Sequence, residues 1–216
     1  MNKELLDYLL GFLTPRRRML FEKVLLERTN YFTVATQDVS QLHNTSAVLR
    51  SCDVFGIQNI HVIEEKNPRR IDKEIAMGAQ KWVGVNRYNS TENCIAELRK
   101  KGYRIVATSP HGDADLLQDF DISSPAAIFF GTEKDGLSTD FVKNADATLK
   151  IPMYGFTESL NISVSAAIIL QSLIFRLKSS SNDWRLTEKE KFVLHLEWAE
   201  KSLKNSDKLK EDFLKS

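Results

Sequence analysis

Three short stretches of the chain combine residue types that bind anionic or hydroxyl-bearing ligands. In Asn44-Thr45-Ser46-Ala47-Val48-Leu49-Arg50 an amide and a guanidinium stand six residues apart. In Gly131-Thr132-Glu133-Lys134-Asp135-Gly136-Leu137 two glycines frame a tight loop holding a hydroxyl and a carboxylate. In residues 151–166, "IPMYGFTESLNISVSA", a β-like run empties into Gly, Ser and Asn and continues at once as an apolar helix pattern. Taken singly, each has an ordinary reading. Asn44 and Ser46 are expected to cap a helix start. K-D-G is common turn chemistry, and the third stretch is a strand-to-helix loop. A spacing of six keeps Asn44 and Arg50 off one helical face unless Asn44 precedes the helix.

The elements that would position these stretches follow from the hydrophobic pattern. Residues 2–28 read as two short helices split at Thr14-Pro15, with Thr14 the N-cap and Pro15 the first helical residue. The second of these places Met19, Leu20, Val24 and Leu25 near one stripe and Arg16, Arg17, Arg18, Lys23 and Arg28 mostly elsewhere, a basic amphipathic helix. From Tyr31 the rhythm changes to alternating strands (31–37, 59–64, 82–88, 103–110, 126–130, 147–152) and helices (43–56, 91–102, 139–145). The strands are almost continuously apolar, which predicts a parallel sheet covered by helices on both faces. In such sheets ligands bind beyond the C-terminal strand ends, where all three stretches fall. Beyond Lys178 a polar break precedes one long charged helix, opened by the capping-box pair Thr187 and Glu190, with Phe192, Leu196 and Ala199 on its apolar stripe.

Composition narrows the class. The 216 residues carry 42% apolar and 9% aromatic residues, a globular balance, and a net charge of +1 that leaves the question of a nucleic-acid partner to local charge. No run is long and apolar enough to cross a bilayer, and acidic residues interrupt the N-terminal apolar segment, so neither a membrane nor a signal peptide is expected. Two distant cysteines, Cys52 and Cys94, and four scattered histidines form no metal pattern, so no metal is expected and the chain reads as a cytoplasmic protein without disulfides. A G-x-G-x-x-G after the first strand, a P-loop and a G-x-S-x-G elbow are all missing, which disfavours dinucleotide oxidoreductases, P-loop NTPases and α/β-hydrolases.

In this order and at these spacings, the three stretches resemble the three motifs of the SPOUT class of RNA methyltransferases, and within it the TrmH branch. The motifs are N-x-S-A-x-x-R (residues 44–50), G-x-E-x-x-G-[IL] (131–137) and I-P-M-x-G-x-x-x-S-L-N-[IV]-S-V-[AS]-A (151–166). The resemblance covers residues 31–178. It implies a parallel α/β fold with a C-terminal deep trefoil knot, flanked by helical extensions at 1–30 and 179–216. It further implies S-adenosylmethionine as cofactor, held near Thr108, Gly131, Ile151, Met153 and Leu160, and methyl transfer to a ribose 2′-hydroxyl. Arg50 matches the family's catalytic arginine. A guanidinium keeps its proton throughout the range in which proteins stay folded, so it suits clamping phosphate and ribose better than accepting a proton. Asn44, Ser159 and Asn161 would orient Arg50 and the substrate, and Glu133 would fix its loop or an arginine of the partner subunit.

The family generally dimerises through the knot, so a homodimer is expected. Only about thirty residues precede the core, too few for a separate RNA-binding domain, while both flanking helical segments are present. That combination looks most like the tRNA enzymes that methylate the D-loop guanosine at position 18, with Arg16, Arg17, Arg18 and Arg28 as phosphate contacts and no DNA partner. Two alternatives stand beside it: 2′-O-methylation of ribosomal RNA or of another tRNA position, and a non-catalytic knotted RNA-binding protein.

Overall fold

The computed structural model describes residues 3–39, 41–65, 74–110, 112, 114–132 and 134–215. Two helices come first, α1 (Lys3–Gly11) and α2 (Pro15–Leu25). The chain then alternates through β1 (Phe32–Gln37), α3 (Leu42–Val54), β2 (Asn59–Ile63), β3 (Gly84–Tyr88), α4 (Thr91–Lys100), β4 (Arg104–Thr108), β5 (Asp115–Leu116), β6 (Ala126–Phe130), α5 (Thr139–Asn144), β7 (Ala147–Lys150) and α6 (Ile162–Lys178). A 3-10 turn at Ala79–Lys81 leads into β3, and α7 (Glu188–Ser202) and α8 (Ser206–Lys215) follow α6.

The strands form one seven-stranded sheet in the order β3-β2-β1-β6-β4-β7-β5, and every pair in it is parallel. All C-terminal strand ends therefore share one edge. Strand β1 shows why the apolar runs are continuous. Phe32 and Val34 point into a core shared with Val48, Leu49 and Cys52 of α3 and with Leu170 and Leu173 of α6. Ala35 points the other way, toward Cys94 and Leu98 of α4 and Phe141 of α5. With both faces covered, alternation between apolar and polar residues has no place.

Two elements depart from the sequence reading. Six strands were expected and seven form. Strand β5 is two residues long, too short for any periodicity, and exists because β7 offers it a partner. The long C-terminal helix is broken: Leu203 turns extended (φ −105°, ψ 125°) and α8 starts afresh at Ser206. Asn205-Ser206-Asp207 is a helix-start pattern that the alternating charges concealed.

Cα packing divides the chain into two compact units, Thr29–Trp184 and Met1–Arg28 with Arg185–Ser216. Within the second unit α1 packs on α7 and α8, and α2 packs on α7. The α2 cap forms as expected, with Thr14 accepting from the Arg17 N–H, and so does the Thr187/Glu190 capping box. The buried stripe of α2 shares Leu25 with the expected one but is otherwise shifted. Phe21 and Leu25 are buried, whereas Met19 (63%) and Leu20 (48%) face solvent. The reason is Trp198 of α7, whose ring meets Phe21 edge-on at 5.6 Å and fixes the inward face one residue along. The same ring corrects a second expectation. Arg28 is 2% exposed and lies 5.4 Å over Trp198, so this guanidinium is spent on a buried cation–π contact and cannot reach RNA phosphate.

One buried group makes the sheet sensitive to acid. His61 of β2 is buried, with Nδ1 3.1 Å from the Tyr88 hydroxyl of β3. Burial, reinforced by the charge of Lys101, pushes its pKa down to about 4. As pH falls, the unfolded chain takes up this proton near 6.5, before the folded chain does. His61 therefore contributes stability that is intact above about pH 6.5 and is lost as pH falls toward 4, up to roughly 3 kcal/mol. Urea unfolding of the wild type and His61→Gln between pH 7 and 4.5 should show the two slopes diverging across this window. Parallel slopes would remove His61 as the cause.

Candidate functional site

Strands β1, β6, β4 and β7 are consecutive neighbours in the sheet. Adjacent strands lie about 4.8 Å apart, so their four C-terminal ends span roughly 15 Å. The order runs away from β1 in both directions, through β2 and β3 on one side and β6 on the other, so β1 marks a switch point of the kind where ligands bind. The stretches singled out from the sequence leave the sheet at these ends.

From β1 the chain enters α3. Its N-cap is Gln41, whose side chain makes no cap hydrogen bond, and Asn44 and Ser46 are not caps: both lie within the helix and are buried. The reason lies 117 residues away. The Asn44 Oδ1 accepts a hydrogen bond from Asn161 Nδ2 at 3.2 Å, a use that requires Asn44 to point inward. The six-residue spacing then turns Arg50 outward. Its side chain is exposed, and among the described residues no hydrogen-bond or ion-pair partner meets its guanidinium.

From β7 the chain runs through residues 151–161 without regular secondary structure before entering α6. Asn161 is the α6 N-cap, and its Oδ1 accepts from the Ser163 backbone N–H at 2.8 Å and from the Ser163 hydroxyl at 2.6 Å. With its oxygen capping α6 and its nitrogen on Asn44, Asn161 joins the first and third stretches through one amide. Ser163 is a member of this network that was not among the site residues expected from the sequence; its place two residues after the N-cap was the available signal. Ser159 is exposed, and Leu160 is 41% exposed.

From β6 the chain makes the tightest turn of the site. Thr132 and Gly136 exchange two backbone hydrogen bonds of 3.1 and 3.0 Å, and the Asp135 N–H donates to the Thr132 hydroxyl at 3.0 Å. Gly136 takes φ +67°, where a side chain would be strained. Gly131 is required for space: a Cβ there would lie 2.1 Å from the Gly136 carbonyl carbon and 2.3 Å from the Leu137 nitrogen. Glu133 lies outside the described residues. On β4, the Thr108 hydroxyl donates to the Phe129 carbonyl of β6 at 2.8 Å, and the following Ser109 N–H donates to Leu149 of β7 at 3.1 Å. Those bonds fix the middle of the edge.

The stretch after β7 could hold a ligand with an apolar body and a polar rim. Ile151 and Met153 are half-buried, and Ile151 packs against the α3/α6 core. Among the described residues, no backbone hydrogen bond engages residues 151–160. Unpaired peptide groups beside apolar side chains suit an adenine ring and a methionyl chain, which need stacking surface and single donors and acceptors more than charge. The residues present therefore fit S-adenosylmethionine. No group of three or more His, Cys, Asp or Glu is placed to hold a metal among the described residues.

The remaining candidates are in the helical unit. Arg16 and Arg17 are exposed on α2 and Arg18 is half-buried.

Comparison with known proteins gives concordant results. Residues 31–171 match the model of the SpoU rRNA Methylase family. A tRNA (guanosine(18)-2′-O)-methyltransferase from Borreliella burgdorferi is 42% identical over 194 residues, 90% of this chain and 89% of the relative. Among solved structures, a TrmH/SpoU tRNA modifying enzyme of A. aeolicus is similar with a TM-score of 0.77 and 29% identity, covering 87% of this chain and 97% of that one. The SpoU methyltransferase AviRb from Streptomyces viridochromogenes, solved with AdoMet, is similar with a TM-score of 0.63 and 25% identity over 73% of this chain and 62% of that one.

Proposed function

This chain belongs to the SpoU rRNA methylase family, and we infer that it is an S-adenosylmethionine-dependent tRNA (guanosine(18)-2′-O)-methyltransferase. The observation that carries the substrate assignment is the likeness to the Borreliella burgdorferi enzyme across nine-tenths of the chain. The single structural observation behind the residue roles is the Asn161–Asn44 hydrogen bond, which ties the loop after β7 to the helix bearing Arg50.

When bound, S-adenosylmethionine supplies an electrophilic methyl group. The half-buried Ile151 and Met153, with Leu160 and the Gly131 turn, would hold its apolar and adenine parts, and Thr108 would line the adenosine side. Arg50 clamps the phosphate and ribose of the target nucleotide, so that the 2′-oxygen faces the methyl in line. Asn44 and Asn161 hold α3 in the register that points Arg50 outward, and Ser159 contacts the ribose. Glu133 anchors its turn or an arginine of the partner subunit.

Residues 31–178 are the catalytic domain, with 1–30 and 179–216 as helical extensions. The insertion of β7 between β4 and β5, two strands adjacent in sequence, supports a trefoil knot formed by the C-terminal part of the domain. The exposed stripe Val164, Ile168 and Phe175 on α6 supports a homodimer. Arg16, Arg17 and Arg18 contact tRNA phosphate, and the working compartment is the cytoplasm, where tRNA is.

The test is transfer of labelled methyl from S-adenosylmethionine to an unmodified tRNA transcript, beside a transcript whose D-loop guanosine is replaced. Label on the first alone supports both reaction and site. Label on both moves the target elsewhere in the RNA. Label on neither, with S-adenosylmethionine bound, points to ribosomal RNA.

A further inference from the structure

We propose that Tyr154 and Phe156 form a platform on which unpaired nucleobases of the substrate RNA stack beside the target ribose, an inference that rests on the RNA-methyltransferase reading above. Tyr154 is 94% exposed and Phe156 107%, the most exposed of the large hydrophobic side chains among the described residues. Both belong to the loop after β7, separated only by Gly155, and the same loop carries Ser159 and ends on Asn161. Through the Asn161–Asn44 bond it is fastened to α3, whose exposed Arg50 supplies a cation. Aromatic faces and a guanidinium on two joined elements are the chemistry that holds single-stranded nucleic acid: the cation takes the phosphate and the rings take the bases, whatever their identity.

The 2′-hydroxyl of a loop nucleotide can meet a methyl donor in line only if that nucleotide is drawn out of its stack, and the exposed bases then need a surface to replace the one lost. The aromatic pair is also set apart from the apolar α6 stripe assigned to the homodimer. Between Phe156 and Asn161 the exposed Thr157, Glu158 and Ser159 are polar and Leu160, 41% exposed, is the one apolar residue, so the stripe is interrupted along the chain. Complementarity to a polyanion with π faces commits the occupant to RNA.

Five full-length proteins test this: wild type, the double variant Tyr154→Ala/Phe156→Ala, and Phe156→Ala, Phe156→Leu and Phe156→Trp. Direct binding of an unmodified tRNA transcript, S-adenosylmethionine affinity and sedimentation mass are measured on each, together with methyl transfer. The expected result is tRNA binding weakened about 5- to 150-fold per ring removed, with cofactor affinity and mass unchanged. Leu should behave like Ala because it has no π face, and Trp should restore binding. Unchanged tRNA affinity in the double variant overturns the platform. So does weakening that accompanies a change in mass, which would assign the rings to a second copy of the chain, or weakening that accompanies loss of cofactor affinity. Wild-type protein that binds tRNA on these rings yet transfers no methyl would sink the enzyme reading and leave the platform standing.

Discussion

Arg50→Ala should lower single-turnover methyl transfer by about 10³-fold, the scale on which removal of one pre-placed charged donor acts. S-adenosylmethionine affinity should be unchanged. The expectation follows from the position of the side chain. It stands exposed on α3, with no partner among the described residues, so no structural bond is lost with it. The residues that fit the cofactor leave the sheet from β4, β6 and β7 instead. The same variant separates two roles for the guanidinium. A clamp that holds phosphate and ribose leaves the pH dependence of the residual rate as it was, because the 2′-proton departs by the same route. If Arg50 were the proton acceptor, the alanine variant would lose that dependence. Lysine in its place would separate the two poorly, since an ammonium also holds phosphate. A residual rate within a few-fold of wild type would remove Arg50 from the reaction under either role.

The second large effect is on stability. Gly131→Ala should lower the melting temperature by on the order of 10 °C, the consequence of a steric conflict of roughly 3 kcal/mol or more in a chain this size. The added Cβ would meet backbone atoms of Gly136 and Leu137 at 2.1–2.3 Å, and these cannot swing aside as a flexible side chain could. They are fixed by the paired Thr132–Gly136 hydrogen bonds and by Leu137, which is buried in the α4/α5 core. Opening the turn would therefore disturb that core as well as the site. Gly155→Ala provides the contrast. The atom nearest to a methyl group added there, the Thr157 nitrogen, is 4.0 Å away, so the melting temperature should stay at the wild-type value. Equal melting temperatures for the two variants would mean that the turn after β6 is looser than the structure has it. Close backbone approach is therefore a requirement at Gly131, in the second stretch, and not at Gly155, in the third.

What was legible in the sequence, and what was not, divides along the range of the interactions. The alternation of apolar strands and helices, the Thr14 cap and the Thr187/Glu190 box are decided by neighbours a few residues apart, so the pattern announces them. The placement of the three stretches at strand ends follows from the parallel sheet, again a local pattern repeated. Local pattern offered a cap for Asn44, and its bond to Asn161 was not legible there because that partner lies 117 residues away. Arg28 looked like one more charge on a basic helix, because the ring that buries it, Trp198, lies in the last quarter of the chain. Met19 and Leu20 looked like core for the same reason: their exposure is set by which residue of α2 meets that ring. Strand β5 was illegible for a different cause, being two residues whose conformation is supplied by a neighbour formed later in the chain.

That late arrival governs how the protein comes off the ribosome. When residue 125 has been made, residues 104–108 and 115–116 are both present, yet β7, the strand that will lie between them, is still more than twenty residues from synthesis. β6 can pair with β1 and β4 as soon as it is made, but β5 cannot join the sheet before β7 does. A nascent chain must hold that gap open until Ala147–Lys150 arrives, so pairings across long stretches of chain close last and slowly. The Asn161–Asn44 bond likewise needs the last strand and helix in place, so a molecule stalled short of completion lacks the tie between its first and third stretches.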